Sequence, residues 1–214
     1  MKDILFPEQK DYLESFIKEN DPLILEMEAF AKKNNVPILS RDSTKLIELL
    51  IRIYRPERVL EIGTAIAYTS IRIAKCTGSK CSVHTIEFSK DNAKLAKQNI
   101  KKAKLSKKIK LLFGDALDIM PKLDKKYDFI FLDADKEDYL KLFQHSLKLL
   151  KKGGVIFVDN LLWHGFAAAS VVPEKFKAST KYIRDFNKLF TENKKLQTTI
   201  LPVGDGVGLG IKIK

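Results

Sequence analysis

The chain has 214 residues, 45% apolar and 31% charged, with a net charge of +12. That length suits one domain with a substantial core, and no run reaches the ~20 uncharged apolar residues of a membrane span. The opening MKDILFPEQKDYLES carries acids and no long apolar stretch, which excludes a signal peptide, and Cys76 and Cys81 have no second pair for a zinc site. They predict reduced thiols in a cytoplasmic protein.

In chain order, apolar residues at helical spacing predict helices over 7–19 and 22–34, the second ended by Asn34 and Asn35. Both precede the first strand, so residues 1–55 are additions, a lid or a dimer surface, to a core over 56–214 of the same domain. Residues 36–39 form a short extended link. Residues 40–43 offer N-caps for a helix running to about Tyr54, with Leu46, Ile47, Leu49, Leu50 and Ile53 on one side.

Strands are then predicted at 58–62, 82–87, 108–113, 127–132 and 154–159, alternating with helices at 67–76, 89–104, 116–122, 136–151 and 173–192. These strands are too apolar to have a wet face, which argues for a mostly parallel sheet covered on both sides. Two last strands, 196–201 and 207–213, flank the turn sequence VGDG and predict an antiparallel hairpin at one edge of a seven-stranded sheet.

Chemistry gathers at the carboxyl ends of these strands, where open α/β sheets bind ligands. The first strand runs into VLEIGTAIAYTS, where Gly63 permits a tight turn into a helix N-terminus. A dinucleotide fingerprint would need GxGxxG, but Ala65 and Ala67 stand in it, which weakens a nicotinamide or flavin reading. Glu61 could hold an ammonium, Glu87 at the second strand end could accept from ribose hydroxyls, and Gly114, Asp115 and Ala116 could meet an adenine edge. One cofactor unites those three groups: S-adenosylmethionine. Each acid alone reads equally as a solvated strand end, but the ordered set Glu61, Glu87, Asp115 and Asp133 does not. The fourth strand ends in Asp133, Asp135 and Lys136, and the fifth in Asp159 and Asn160. Asp133, Asp159 and Asn160 on neighbouring strands would give a hard cation such as Mg²⁺ three oxygen ligands.

These motifs resemble the cation-dependent O-methyltransferases, which include catechol and caffeoyl-CoA O-methyltransferases and their bacterial relatives. The resemblance covers 36–214 and rests on VLEIGTAIAYTS, Glu87, GDA at 114–116, FLDADKEDY at 131–139, VDNLLWHG at 158–165 and LPVGDGVGLG. It implies an α/β, Rossmann-like class I methyltransferase fold. It is most similar to the bacterial tRNA 5-hydroxyuridine methyltransferases, which methylate a wobble uridine hydroxyl. The resemblance implies that Asp133, Asp159 and Asn160 hold Mg²⁺. Leu39, Glu61, Gly63 and Thr69 would line the methionine end of the cofactor, Glu87 the ribose, and Asp115 with Ala116 the adenine. Asp133 would serve metal and cofactor together, and Lys136 would be the base. Relatives carry glycine where Ala67 stands, and the C-terminal glutamate of the catechol enzymes is absent from LPVGDGVGLG.

Nine lysines against one acid over 90–110 form a basic stretch that suits tRNA, although 33 lysines against 6 arginines also fit a chain-wide lysine bias on a solvated face. Trp163 and His164 fall on a loop over the site, where Trp163 stacks on a substrate ring or packs the loop. His84 and His145 read as structural, and 166–172 as a flap or dimer contact. Three functions compete: tRNA wobble-uridine methylation, methylation of a catechol-like small molecule, and RNA binding around a vestigial cofactor site. Relatives point to a homodimer.

Overall fold

A computed structural model describes residues 6–214. The first five residues, on which part of the signal-peptide expectation rests, lie outside the described part. Seven strands form one sheet: β1 (Arg58–Ile62), β2 (Ser82–Glu87), β3 (Ile109–Phe113), β4 (Tyr127–Leu132), β5 (Leu150–Val158), β6 (Leu196–Leu201) and β7 (Val207–Lys212). Their order is β3-β2-β1-β4-β5-β7-β6, parallel from β3 to β5, with β7 antiparallel to both β5 and β6. The predicted hairpin is therefore at the edge, with β7 as its inner strand. The order reverses between β1 and β4, so a crevice opens at their carboxyl ends.

The continuous apolar runs of β4 and β5 follow from burial on both faces. Val59, Phe129, Phe131, Val155 and Phe157 join one core with residues of α2 (Pro22–Asn34), α3 (Arg41–Tyr54), α4 (Tyr68–Cys76) and α5 (Lys90–Lys102). The intervening Leu60, Ile62, Ile130, Leu132, Ile156 and Val158 join the opposite core. There they pack with residues of α7 (Tyr139–Leu149) and α8 (Glu174–Thr191). The period-2 alternation of side chains across the sheet thus sorts each strand between two helical layers.

Some boundaries differ from expectation. Helix α1 (Pro7–Ser15) stops four residues short of 19 and buries none of its residues. The helix expected over 116–122 is a short α6 (Ala116–Ile119) followed by a 3-10 turn. The helix expected over 136–151 begins as a 3-10 turn and ends at Leu149. β5 starts at Leu150 rather than 154, because Leu150 pairs with Tyr127 and the chain bulges before Val155 pairs with Phe129. Among the described residues no helix is long and apolar enough to cross a membrane. Cys76 and Cys81 are both free thiols.

Candidate active site

The turn after β1 is fixed by backbone contact. Gly63 N–H donates to Ile86 O of β2 at 3.1 Å, and Asp133 N–H donates to Ile62 O at 2.9 Å. Gly63 has φ +96°, and a Cβ there would sit 1.7 Å from the Asp133 carbonyl oxygen. Only glycine allows the β1 turn and the end of β4 to touch. Ala65 and Ala67 also take left-handed backbone, φ 45° and 67°. Ala67 is the N-cap of α4, so alanine carries the strain that glycine would avoid. Thr69 lies in the first turn of α4, whose leading N–H groups have no partner within the helix. Leu39 is buried and lines, with Ser40, Arg41, Glu28 and Tyr68, a cleft of about 460 Å³ beside α4.

Glu61 is fully buried beneath this turn. Its Oε2 accepts from Ser70 Oγ and from Thr85 Oγ1, while Oε1 has no partner. Burial pushes its carboxyl up to about 8 against the pull of those two donors. Glu87 ends β2 and accepts from Ala65 N–H and Ser89 N–H, each at 2.8 Å. Each carboxylate oxygen keeps a lone pair for another donor. Asp115 follows Gly114 at the end of β3 and caps α6 by accepting from Leu117 N–H at 2.8 Å, with Ala116 half-buried after it.

Asp133 and Asp159 meet where β4 and β5 end together. Leu132 pairs with Val158, and Asp159 N–H donates to Leu132 O at 3.1 Å. Asp159 is buried, its Oδ1 lacks a partner, and burial first and the Asp133 charge second push its carboxyl up. Asn160 takes left-handed backbone, φ 62°, and its Oδ1 accepts from Lys136 Nζ at 2.6 Å. Lys136 Nζ also reaches Tyr139 Oη at 2.7 Å, Ala134 O at 3.0 Å and Asp133 Oδ1 at 3.5 Å. Tyr139 Oη donates to Asp159 O at 3.0 Å. Among the described residues no three His, Cys, Asp or Glu side chains form a metal cluster; this corner offers two carboxylates and an amide oxygen instead. That donor set fits a hard divalent cation, and the partnerless, buried Asp159 Oδ1 is the atom such an ion would satisfy.

A loop closes over the corner. Asp205, from the VGDG turn, accepts from His164 N–H at 2.6 Å and from Asn160 Nδ2 at 3.4 Å. Trp163 and His164 are left-handed as well, φ 48° and 55°. Such clustered strain is typical of functional sites. Trp163 stands edge-on to Phe176, which stacks with Phe166, their centroids 5.0 Å apart. The 166–169 stretch is clamped by Arg184, which donates to the carbonyls of Phe166, Ala167 and Ala169. His84 is tied to Tyr127 Oη at 2.8 Å inside the sheet.

The structure thus brings Asp133, Lys136, Asp159 and Asn160 into one corner that touches the Gly63 turn. Glu87 lies beside that turn through Ala65, and Glu61 lies under it. Asp115 and Ala116 stand at the end of the sheet's outer strand, and Leu39 lines the cleft beside α4, next to Ser40, whose Oγ lies against Gly204. Sequence reading passed over Tyr139 and Asp205. Tyr139 was visible as the last residue of FLDADKEDY, and Asp205 as the acid of VGDG, where it reads as turn chemistry alone.

A family profile described as "O-methyltransferase" matches residues 14–213. The caffeoyl-CoA O-methyltransferase of Medicago sativa is 30% identical over 225 residues, 96% of this chain and 90% of that protein. A Staphylococcus aureus crystal structure, provisionally assigned as a caffeoyl-CoA O-methyltransferase, superposes with a TM-score of 0.89 at 33% identity, covering 95% of this chain and 99% of that one. An O-methyltransferase from Bacillus cereus, solved in complex with SAH, gives a TM-score of 0.83 at 28% identity, covering 94% and 96%. The seven-stranded Rossmann-like fold, the strand-end acids and these matches agree, and the chain belongs to the O-methyltransferase family of enzymes.

Proposed function

We infer that this chain transfers the methyl group of S-adenosylmethionine to the 5-hydroxyl of 5-hydroxyuridine at the tRNA wobble position, with Mg²⁺ at the corner formed by Asp133, Asp159 and Asn160. The observation that carries the reading is the contact between Gly63 and the Asp133 carbonyl. It sets the cofactor turn against the oxygen-donor corner, as a direct displacement requires of donor and acceptor. The SAH bound by the Bacillus cereus relative supports the cofactor.

When bound, the sulfonium supplies an electrophilic methyl, and the cation supplies Lewis acidity and a template for two adjacent oxygens. The chain's own residues do the rest. Glu87 accepts from the ribose hydroxyls, Asp115 and Ala116 border the adenine, and Glu61, Gly63, Leu39 and Thr69 surround the methionine end. Lys136 Nζ, as its neutral amine, takes the acceptor's proton. Trp163, held by the loop that Asp205 and Arg184 pin, offers a ring face to a planar acceptor.

The tRNA acceptor is supported by charge. Lys94, Lys97, Lys101, Lys104, Lys107 and Lys110 are exposed on and after α5, and phosphate neutralisation by such a stretch drives RNA binding. The second reading, a catechol-like small molecule, is favoured by the caffeoyl-CoA relative. Coenzyme A thioesters are polyanions too, so product identity decides. Mass spectrometry of tRNA nucleosides from a deletion strain is expected to show 5-hydroxyuridine accumulating and 5-methoxyuridine lost. Unchanged 5-methoxyuridine, with purified enzyme methylating a catechol in vitro, would replace the RNA reading. A cytoplasmic homodimer completes the proposal, supported by the exposed Tyr12 and Leu13 of α1 and Phe16 just after it, which a second copy would cover.

A further inference from the structure

We propose that Lys136 is the site's built-in cation, and that a divalent ion enters this corner only by displacing its ammonium. The proposal rests on the metal reading above. A lysine in the first turn of a surface helix normally waves in solvent. Lys136 does not: its side chain is 10% exposed. It opens a 3-10 turn (Lys136–Asp138) that leads into α7.

The ammonium there is saturated. It has three hydrogens, and four oxygens surround it: Asn160 Oδ1 at 2.6 Å, Tyr139 Oη at 2.7 Å, Ala134 O at 3.0 Å and Asp133 Oδ1 at 3.5 Å. Two ring faces complete the enclosure, with Nζ 4.5 Å from the Tyr139 centroid and 5.6 Å from that of Trp163. Two of these oxygens, on Asn160 and Asp133, belong to the set that fits the divalent ion. The third member, Asp159, keeps a buried oxygen that the ammonium leaves without a partner. One positive charge therefore serves this corner incompletely, and a second kind of cation has a reason to replace it.

The two cations exclude each other. Mg²⁺ binds oxygen at about 2.0–2.1 Å, so an ion on Asn160 Oδ1 would lie within about 5 Å of an ammonium hydrogen-bonded to the same atom. Like charges so close, in a site walled by Trp163 and Tyr139, repel with little screening. Ion binding thus releases Lys136 from Asn160. The lysine holds the corner together while no ion is bound and is freed from its oxygens when one binds. Apparent ion affinity is set by this exchange.

The test measures Mn²⁺ affinity by calorimetry on the full-length protein, with no acceptor present. Lys136→Met, which keeps length without charge, is expected to bind Mn²⁺ at least tenfold more tightly than the wild type. Its thermal stability should fall without metal and recover with it. Tyr139→Phe removes one acceptor from the ammonium and should tighten Mn²⁺ by a smaller factor, about threefold. In the wild type, acetylation of Lys136 by an N-hydroxysuccinimide ester, mapped by mass spectrometry against exposed Lys188, should accelerate on adding Mg²⁺. Equal or weaker Mn²⁺ binding by Lys136→Met, or Mg²⁺-independent acetylation, overturns the exchange while leaving the metal reading intact. No Mn²⁺ binding by wild type or variants, with S-adenosylmethionine still bound, overturns both.

Discussion

Glu61→Gln tests whether the Gly63 turn is built over a carboxyl that the fold holds at the expense of stability. Glu61 is fully buried, one oxygen accepts from Ser70 and Thr85, and the other has no partner. Burial raises the carboxyl from an ordinary 4.5 to about 8. A group raised on folding contributes stability that is fully present below its unfolded value and lost as pH climbs through the folded one. At about 1.4 kcal/mol per pH unit, Glu61 makes the protein up to about 4 kcal/mol less stable at pH 8.5 than at pH 5. Glutamine keeps the shape and the acceptor for Ser70 and Thr85 but does not ionise. Its amide places an unpartnered N–H₂ where Oε1 was, at a cost of about 1–3 kcal/mol at every pH. Urea unfolding of the cofactor-free protein from pH 5 to 8.5 is therefore expected to show the variant weaker at pH 5 and level with or above the wild type at pH 8.5. Asp159 titrates in the same sense, so the difference between the two proteins isolates Glu61. Parallel stability profiles across that range would show that Glu61 is ionised in the folded chain and would refute the argument.

Gly63→Ala pushes a Cβ into the Asp133 carbonyl and strains a φ of +96°. It should lose roughly 2–5 kcal/mol by chemical denaturation and abolish cofactor binding. Ala67→Gly relieves left-handed strain of about 1–2 kcal/mol but gives up a buried methyl and loosens the unfolded chain. Its stability should stay within about 1 kcal/mol of wild type and its S-adenosylmethionine affinity within threefold by calorimetry; a tenfold gain would show that alanine distorts the turn. Arg72→Met strands the acids of Glu19 at 2.6 Å and Glu48 at 2.7 Å around a nearly buried guanidinium. Because those acids are partly exposed, about 2–3 kcal/mol should be lost on urea unfolding, and a loss below 0.5 kcal/mol would mark the network as solvated.

The strands and the acids at their ends were legible because both are local signals. A short apolar run that stops at a glycine turn or an acid reads the same in any context, and the strands predicted at 58–62, 82–87 and 127–132 match β1, β2 and β4 at both ends. What could not be read is whatever depends on residues far along the chain. Leu150 joins β5 because Tyr127 is there to pair with it, although the sequence reads as helix through residue 151. The helix expected to reach residue 19 ends at Ser15, and Glu19 is drawn instead to Arg72, 53 residues away. Asp205 and Asn160 are 45 residues apart and Tyr139 and Asp159 only 20, yet both pairs meet because β4, β5 and β7 are neighbours in the sheet. Topology, not motif, makes Asp205 part of the site.

The same topology accounts for the concentration of negative charge. β1, β4 and β5 are adjacent and parallel, so Glu61 near the end of β1 and Asp133 and Asp159 just beyond β4 and β5 gather at one rim. Two of the three carry a buried oxygen with no partner, and both of those carboxyls are raised. Burying carboxyls in this way costs stability unless each one is paired. The partners that would offset this cost are cations: the Lys136 ammonium already in the corner, the divalent ion proposed to displace it, and the ammonium and sulfonium of the methyl donor. Binding any of them should therefore raise the unfolding temperature most at the alkaline end of the range, where the rim is most fully charged. Stabilisation by S-adenosylmethionine that stayed constant from pH 5 to 8.5 would contradict this account.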